Sequence, residues 1–544
     1  MTFVITQRCC NDTSCVAVCP VDCIRPRPGD PGYTTAEMLY IDPDTCIDCG
    51  ACVDACPVDA IYSEYDLSES MSRYTEINAA YFEQNPLDTD DVAFPTPPKR
   101  PSADLPRIRV AIVGSGPAAC YCAAELLARG SVEVEMFDRL PSPWGLVRSG
   151  VAPDHQETKG VVSVFGSSFK SDSFQFYLDV EVGKHISHDE LLRHHDAVIY
   201  AVGAATDRKL GIPGESLPGS HSATEFVSWY NGHPDFSDRE FDLSGERAVI
   251  VGNGNVALDV ARVLTCDVDE LAKTDIADHT LDALRNSNIR EVVVLGRRGP
   301  LQAAYSAPEF LALGHLNGVD IVIDQQDVVL DAASAAALDD PDALLSDKLK
   351  VDLAREYAQK PADGGNKRIV FRYLVAPTEL QGTDRVESVT LVHNTLDDDL
   401  AASATEKVET LEASLVLRSV GYRGEPVADV PFDEVRGVIP NHQGRVDGAV
   451  GVYTSGWIKR GPRGVIGTNR VDAKETVAQL LADFDAGLLT APELDRTSLV
   501  GLVTERQPDM IDKAGWAARD AQEMAAGKAA GRPRIKITAR TVSR

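Results

Sequence analysis

Arg107-Ile-Arg-Val-Ala-Ile-Val113-Gly114-Ser-Gly116-Pro-Ala-Ala119 decides the fold of most of this chain. Residues 107–113 have the apolar, β-branched character of a buried strand, 117–129 form an Ala- and Leu-rich helix, and 132–137 form a second strand. Glycine at 114 and 116 permits a tight turn and a close approach of backbone to a pyrophosphate, while the helix start offers free N–H groups to it. Asp138 follows the second strand, 24 residues after Gly114, where an acid hydrogen-bonds an adenosine ribose. The stretch predicts a dinucleotide site on a strand–helix–strand unit.

The theme recurs downstream. Strand 247–251, helix 256–264 and strand 291–295 enclose Gly252-Asn-Gly254-Asn-Val-Ala257, and the last strand ends in Gly296-Arg297-Arg298-Gly299. Where an NAD site carries an acid, this one has two guanidiniums, which suit the 2′-phosphate of NADP. The 45-residue gap from Gly252 to Arg297 is longer than usual, and a helical segment near 267–288 accounts for it. Two such starts predict two doubly wound α/β units. Opposite charges at the two ribose ends imply two cofactors, FAD at the first site and NADPH at the second. Residues 326–365, rich in Ala and Asp, read as an exposed helical insertion.

The chain has 544 residues, enough for three or four domains. Lys plus Arg number 53 and Asp plus Glu 83, a net charge of −30 that argues against nucleic-acid binding. No apolar run is long enough to span a membrane, and the first residues lack the pattern of a secretion signal, so the expected location is the cytoplasm.

Nine of the twelve cysteines fall within the first 56 residues. Cys46-Ile-Asp-Cys49-Gly-Ala-Cys52-Val-Asp-Ala-Cys56-Pro57 is C-x2-C-x2-C-x3-C-P: three thiolates on one loop bind three irons of a cubane, and the fourth reaches the other cluster of a two-cluster ferredoxin. Upstream, Cys9, Asp12, Cys15, Cys19 and Pro20 repeat the spacing with Asp at the second position. Symmetry assigns Cys19, Cys46, Cys49 and Cys52 to one 4Fe–4S cluster and leaves Cys9, Cys15 and Cys56 for another. Three thiolates and one Asp allow 3Fe–4S, lacking the iron opposite Asp12, or 4Fe–4S completed by its carboxylate. The reading leans to 3Fe–4S, with Cys10 as an alternative to Cys9. Zinc, bound by one four-thiolate set, gives no reason for a doubled motif.

Residues 1–65 resemble bacterial seven-iron ferredoxins, down to Pro20-Val-Asp-Cys23-Ile24, whose cysteine is usually not a ligand there. Those proteins have a longer gap than Cys9-x5-Cys15, so the resemblance leaves the second cluster's type open. Residues 107–535 resemble adrenodoxin reductase and bacterial NADPH–ferredoxin reductases, of the glutathione-reductase-like type. The likeness is carried by both glycine turns, Trp144-Gly-Leu-Val-Arg-Ser-Gly-Val-Ala-Pro-Asp-His155, Ile212-Pro-Gly-Glu215, Gly296-Arg-Arg-Gly-Pro-Leu301 and Gly456-Trp-Ile-Lys-Arg-Gly-Pro462. The whole chain is similar to fused ferredoxin/ferredoxin–NADP reductases.

That resemblance implies an α+β ferredoxin-like domain followed by α/β glutathione-reductase-like FAD and NADP domains, two Rossmann-type units. Their expected limits are ferredoxin 1–65, linker 66–106, FAD 107–205 and 416–500, NADP 206–415, and a C-terminal extension 501–544. Beside Gly114 and Gly116, the implied FAD contacts are Ala118, Asp138, Leu146, Val182, Trp457, Gly464, Val465 and Ile466. The implied NADP contacts are Arg208, Asn253, Gly254, Asn255, Val256, Arg297, Arg298, Glu309 and Gly464. His155 and Glu309 match the family's polar pair near nicotinamide and flavin, in positioning and proton or water networks, since hydride transfer needs alignment before it needs a base. Gly456-Trp457 stands where many glutathione-reductase-like enzymes have Gly-Asp. The reductase region has no C-x-x-C, so disulfide reduction lacks its nucleophile pair.

The implied reaction runs from NADPH through FAD to the clusters and on to ferredoxin or a cytochrome P450-type acceptor. An electron-supplying subunit similar to that of glutamate synthase, and a non-catalytic iron–sulfur redox sensor, are the alternatives; a monomer is favoured. Cys120, Cys122 and Cys266 read as ordinary buried thiols, and His194-His195 as surface residues. From Lys528 the chain has six basic residues and no acid. It reads as a solvated tail or, with Lys459, Arg460 and Arg463, as a docking patch for an acidic ferredoxin.

Overall fold

The computed structural model describes residues 2–87 and 106–539. The first unit repeats itself. Two short antiparallel pairs, Phe3–Ile5 with Ile61–Ser63 and Ile24–Arg25 with Tyr40–Ile41, flank the helices Ser14–Val18 and Ala51–Ala55. Left-handed backbone recurs in matched pairs, Asn11 with Asp48, Thr13 with Gly50 and Asp22 with Asp59, so both cysteine loops take the same path.

The expected linker 66–106 is not linker throughout. Its residues 88–105, with the Pro-rich run, lie outside the described residues, but Tyr74–Gln84 is helix and part of the first unit's core. Asn78 Oδ1 accepts from Ile5 N at 3.3 Å and Ile41 N at 2.9 Å, joining both strand pairs, and Tyr81 stacks on Tyr40 at 4.2 Å. A polar residue at the centre of the buried face hides the helix from a reading of apolar period.

The second unit is a seven-stranded sheet in the order Asn441–His442, Arg445–Val446, Val452–Thr454, Ala197–Tyr200, Ile108–Val113, Val132–Asp138, Phe174–Leu178. Its last five strands are parallel and carry the first glycine turn at their C-terminal edge. The third unit is a six-stranded parallel sheet, Ser220–Ser222, Leu415–Arg418, Arg247–Val251, Glu291–Leu295, Lys367–Arg372, Val319–Ile323, with the second turn at the corresponding edge. The α+β unit followed by two Rossmann-type α/β units is the architecture the sequence predicts. Ligands of open parallel sheets bind at this edge, outside the strands' carboxyl ends.

Three local expectations are corrected. Residues 326–365 are not an exposed insertion: the helix Leu345–Gln359 buries Val351, Leu353, Ala354 and Tyr357 and makes the crossover between two parallel strands. His194 and His195 are buried, not superficial, and His195 Nε2 lies 2.7 Å from the Glu135 carboxylate on a central strand. Over its described residues the basic C-terminal segment is not a free tail. Arg534 pairs with Asp520 at 2.7 Å, Arg532 with Asp278, and Lys536, 1% exposed, with Asp275 at 2.9 Å, while Arg540 and Arg544 lie outside the described residues. Lys459 is likewise committed to Asp472 and Glu475, and Arg460 to Asp472. The helix Lys513–Ala529, anchored on the second unit through the buried Arg148–Glu523 pair, thus continues as a strap onto the third. No helix among the described residues is long and apolar enough to cross a membrane.

Candidate functional site

At the first turn Gly114 has φ +102°, and a Cβ there would lie 2.4 Å from the Ala201 carbonyl oxygen, so only glycine lets the turn close on the neighbouring strand. Gly116 precedes the helix Pro117–Ala128, whose first N–H groups after Pro117 lack partners within the helix. The Ser115 hydroxyl donates to Asp138 and Leu140 N donates to the other carboxylate oxygen at 2.8 Å; burial raises the Asp138 pKa all the same. Gly145 Cα sits close to Gly116, Gly456 packs on Ala118, and Leu146 is 38% exposed beside them. Trp457 lies 5.4 Å from the ring of Tyr422. Gly464, at φ +83°, begins the loop through Val465 and Ile466 that caps the helix Thr468–Asp485, with Val465 N donating to Thr468 Oγ1 at 3.2 Å. Val182 lies past Val180, whose N–H bonds the Asp138 carbonyl at 2.8 Å. Of the residues expected to touch FAD, Gly114, Gly116, Ala118, Asp138 and Trp457 thus gather at one helix start.

The second turn repeats this backbone. Gly252 has φ +107°, and its Cβ would fall 2.2 Å from the Ser419 carbonyl oxygen. Gly254 precedes the helix Asn255–Thr265, and Val256 packs against the core. Asn255 Oδ1 accepts from Ser306 N at 2.7 Å and Asn253 Oδ1 from Ala304 N at 3.4 Å. Arg297 and Arg298 are fixed by their carbonyls, to Asn394 Nδ2 at 2.9 Å and Leu374 N at 3.2 Å, and neither guanidinium has an acid partner among the described residues. Exposed Arg208 sits by the connection between the units, its N–H bonded to the Gly421 carbonyl at 3.1 Å.

Between the turns, His155 Nε2 and Glu309 Oε2 are 3.8 Å apart. The residue that organises them is one the sequence reading did not single out. Arg262, 4% exposed, lies 2.9 Å from His155 Nε2, 2.7 Å from Asp259, 3.7 Å from Glu309, and pairs with Asp154. Guanidinium only donates, so this contact is a hydrogen bond in the tautomer whose ring proton sits on Nδ1. Burial opposes the charge of Arg262, but the acids around it outweigh burial and raise its pKa further. His155, Asp259 and Glu309 stand close enough to share a cation, and the buried guanidinium supplies that charge. The i, i+3 spacing of Asp259 and Arg262 was the available signal.

In the first unit Cys19, Cys46, Cys49 and Cys52 line one cavity, with Cys23 beside Cys19 at 3.5 Å. Cys15 is buried, with Cys9, Asp12 and Cys56 among its neighbours. Leu39 N lies 3.5 Å from Cys9 Sγ and Ala60 N 3.3 Å from Cys56 Sγ, N–H donors of the kind that suits thiolates. The Asp12 carboxylate is engaged by Ser14 N at 3.2 Å and by the Ser14 hydroxyl. Cys10 is buried in the core shared with the second unit. Cys9 and Cys56 of this second cysteine set pack against the core of the second unit. Gly467, next after Ile466, donates to the Cys10 carbonyl at 2.8 Å, and Arg470 to the Asp12 carbonyl at 2.6 Å. A Cβ on Gly467 would overlap Asn11.

Residues 39–62 match the 4Fe-4S binding domain and 108–300 the pyridine nucleotide-disulphide oxidoreductase family. A Mycobacterium tuberculosis protein named probable ferredoxin/ferredoxin–NADP reductase is 49% identical over 99% of this chain and 93% of its own. This chain belongs to the ferredoxin/ferredoxin–NADP reductase family. A mitochondrial NADPH:adrenodoxin oxidoreductase from Arabidopsis thaliana is 39% identical to this family member over 80% of the chain and 94% of its own length. The solved M. tuberculosis FprA in complex with NADPH covers 80% of it and 98% of the FprA chain at 46% identity, with a TM-score of 0.76. Both of these reductases match about four fifths of the chain, while the M. tuberculosis relative matches nearly all of it.

Proposed function

We propose that the chain oxidises NADPH at the second turn and passes the electrons through FAD at the first to iron–sulfur clusters in its N-terminal unit, then to a one-electron acceptor, ferredoxin or a cytochrome P450-type protein, in the cytoplasm. FAD supplies the conversion, since it accepts two electrons as hydride and releases them singly. Gly114, Gly116 and the helix start at Pro117 hold its pyrophosphate, Asp138 its ribose, and Ala118, Leu146, Val182, Trp457, Gly464, Val465 and Ile466 its remaining contacts. Asn253, Gly254, Asn255, Val256, Arg208, Arg297 and Arg298 bind NADP, the last two as free donors to a 2′-phosphate. His155 and Glu309, set by Arg262, orient the reacting rings and carry the proton network. Cys19, Cys46, Cys49 and Cys52 hold 4Fe–4S. Cys9, Cys15 and Cys56 hold 3Fe–4S, a reading supported by the Asp12 carboxylate being taken up by Ser14.

The observation that carries this reading is the loop after Gly464. Its first residues are the ones assigned to FAD, and Gly467 touches the cysteine loop at Cys10, a contact that supports transfer between the two proposed sites. The test is steady-state reduction of cytochrome c with NADPH or NADH, together with electron paramagnetic resonance of the oxidised, anaerobic protein. Robust NADPH turnover, far weaker NADH use and an oxidised 3Fe–4S signal are expected. Negligible turnover despite bound FAD contradicts the reading.

A further inference from the structure

We propose that Glu37, in the cysteine-bearing unit, is a positioning residue for NADPH oxidation: it fixes the start of the helix Ala307–Leu313, and so Glu309, in the NADP unit. The inference rests on the reading that Glu309 lies beside the nicotinamide. Glu37 Oε2 accepts from Ala307 N at 2.8 Å, and Lys350, 9% exposed, holds Oε1 at 3.2 Å. Two residues of the same unit add to this contact. Fully buried Tyr74 donates to the Pro308 carbonyl at 3.5 Å, and Arg73 pairs at 2.9 Å with Glu356, on the helix that carries Lys350.

The opposite side of the same segment is held by the NADP turn. Asn253 accepts from Ala304 N and Asn255 from Ser306 N, so residues 304–308 are gripped from the nucleotide loop on one side and the cysteine-bearing unit on the other. Glu309 is reached by Arg262 and His155 only at ion-pair distance. Its Oε2 is buried without a hydrogen-bond partner among the described residues, and His155 and Arg262 stand off at 3.8 and 3.7 Å. With only these longer ion-pair contacts on Oε2, the carboxylate depends on the backbone of 307–308 as well as on Arg262 for its place. A small misplacement of a group that aligns a hydride donor has a disproportionate effect on rate. The cysteine-bearing unit is thereby a structural part of the NADPH site as well as an electron acceptor.

The test compares Glu37→Ala and Glu37→Gln with the wild-type holoenzyme by anaerobic stopped flow, following flavin bleaching by NADPH and by NADPH deuterated at the transferred position. Affinity for 2′,5′-ADP, which lacks the nicotinamide, is read by calorimetry without turnover. Glu37→Ala is expected to slow bleaching about tenfold and to raise the deuterium isotope effect. Its 2′,5′-ADP affinity is expected to stay within about twofold of wild type, because the adenosine end is held by other residues. Glu37→Gln, which still offers an oxygen to Ala307 N, is expected to recover most of the rate. Bleaching by Glu37→Ala at the wild-type rate would overturn the proposal, as would slowing matched by an equal loss of 2′,5′-ADP affinity. Failure of the wild type itself to bleach would instead sink the reading on which the proposal stands.

Discussion

The two glycine turns are built alike and finished differently. Gly114 and Gly252 have φ of +102° and +107°, and each is closed by a neighbouring strand's carbonyl. Each turn glycine donates to the carbonyl at the end of the next strand, Phe137 at 2.7 Å or Leu295 at 2.9 Å. Beyond that strand the first turn has Asp138, bonded by Ser115 and Leu140, and is lined by residues from both ends of the sequence. The second has Arg297 and Arg298, without acid partners among the described residues and open to an arriving phosphate. On the proposed reading, one backbone device serves a resident cofactor when walled in and a visiting one when left open, and the side chains at the strand end choose which.

Breaking the turns should separate the two roles most sharply. Gly114→Ala forces a Cβ into the Ala201 carbonyl at positive φ, and purified protein is expected to carry below about a tenth of stoichiometric flavin. Gly252→Ala should keep its flavin, measured by absorbance, yet lose reduction by NADPH. Equal flavin in both variants would show that the turns are not specialised. The strap that ties the two units is the next lever. Removing Glu523, buried against Arg148, leaves an unpaired buried charge, so Glu523→Ala should lower unfolding stability in urea by about 3–5 kcal/mol. A change below 1 kcal/mol, on the order of an exposed pair, would make the strap incidental.

Replacing both Arg297 and Arg298 by Ala should raise the NADPH KM by about 100-fold or more, since charge-assisted hydrogen bonds contribute about 1.5–3 kcal/mol each. NADH kinetics should hardly move, and an unchanged preference would defeat the assignment. The smallest expected effect lies between the turns. Burial opposes the charge of Asp154, but Arg262 and then His155 overcome it and hold the carboxyl at about 2, below its usual 3.8. Its contribution, about 2 kcal/mol, is therefore full above about pH 4 and lost as pH falls toward 2. Asp154→Asn should flatten this acid limb of stability; an identical limb would remove Asp154 from it.

The regular parts of the fold were legible because periodicity and turn chemistry are local. The expected strands 247–251 and 291–295 match Arg247–Val251 and Glu291–Leu295, and helix 117–129 runs Pro117–Ala128. The doubled cysteine spacing was legible too, and left-handed residues repeat with it. What stayed hidden depends on distant partners. His195 is buried because Glu135 waits on another strand, and the basic tail is spent on Asp275 and Asp278, far back in the chain. Arg262 gathers acids from three separate segments. The seat of the cysteine-bearing unit relies on backbone contacts at Gly467 and Ala307, which leave little trace in residue type.

Anaerobic stopped-flow mixing of the fully metallated protein with NADPH, resolving flavin and cluster absorbance separately, most directly examines whether the two halves work as one. Flavin bleaching followed by cluster bleaching within the same molecule, at a rate independent of protein concentration, is the expected result. A flavin that bleaches while the clusters stay oxidised would contradict it.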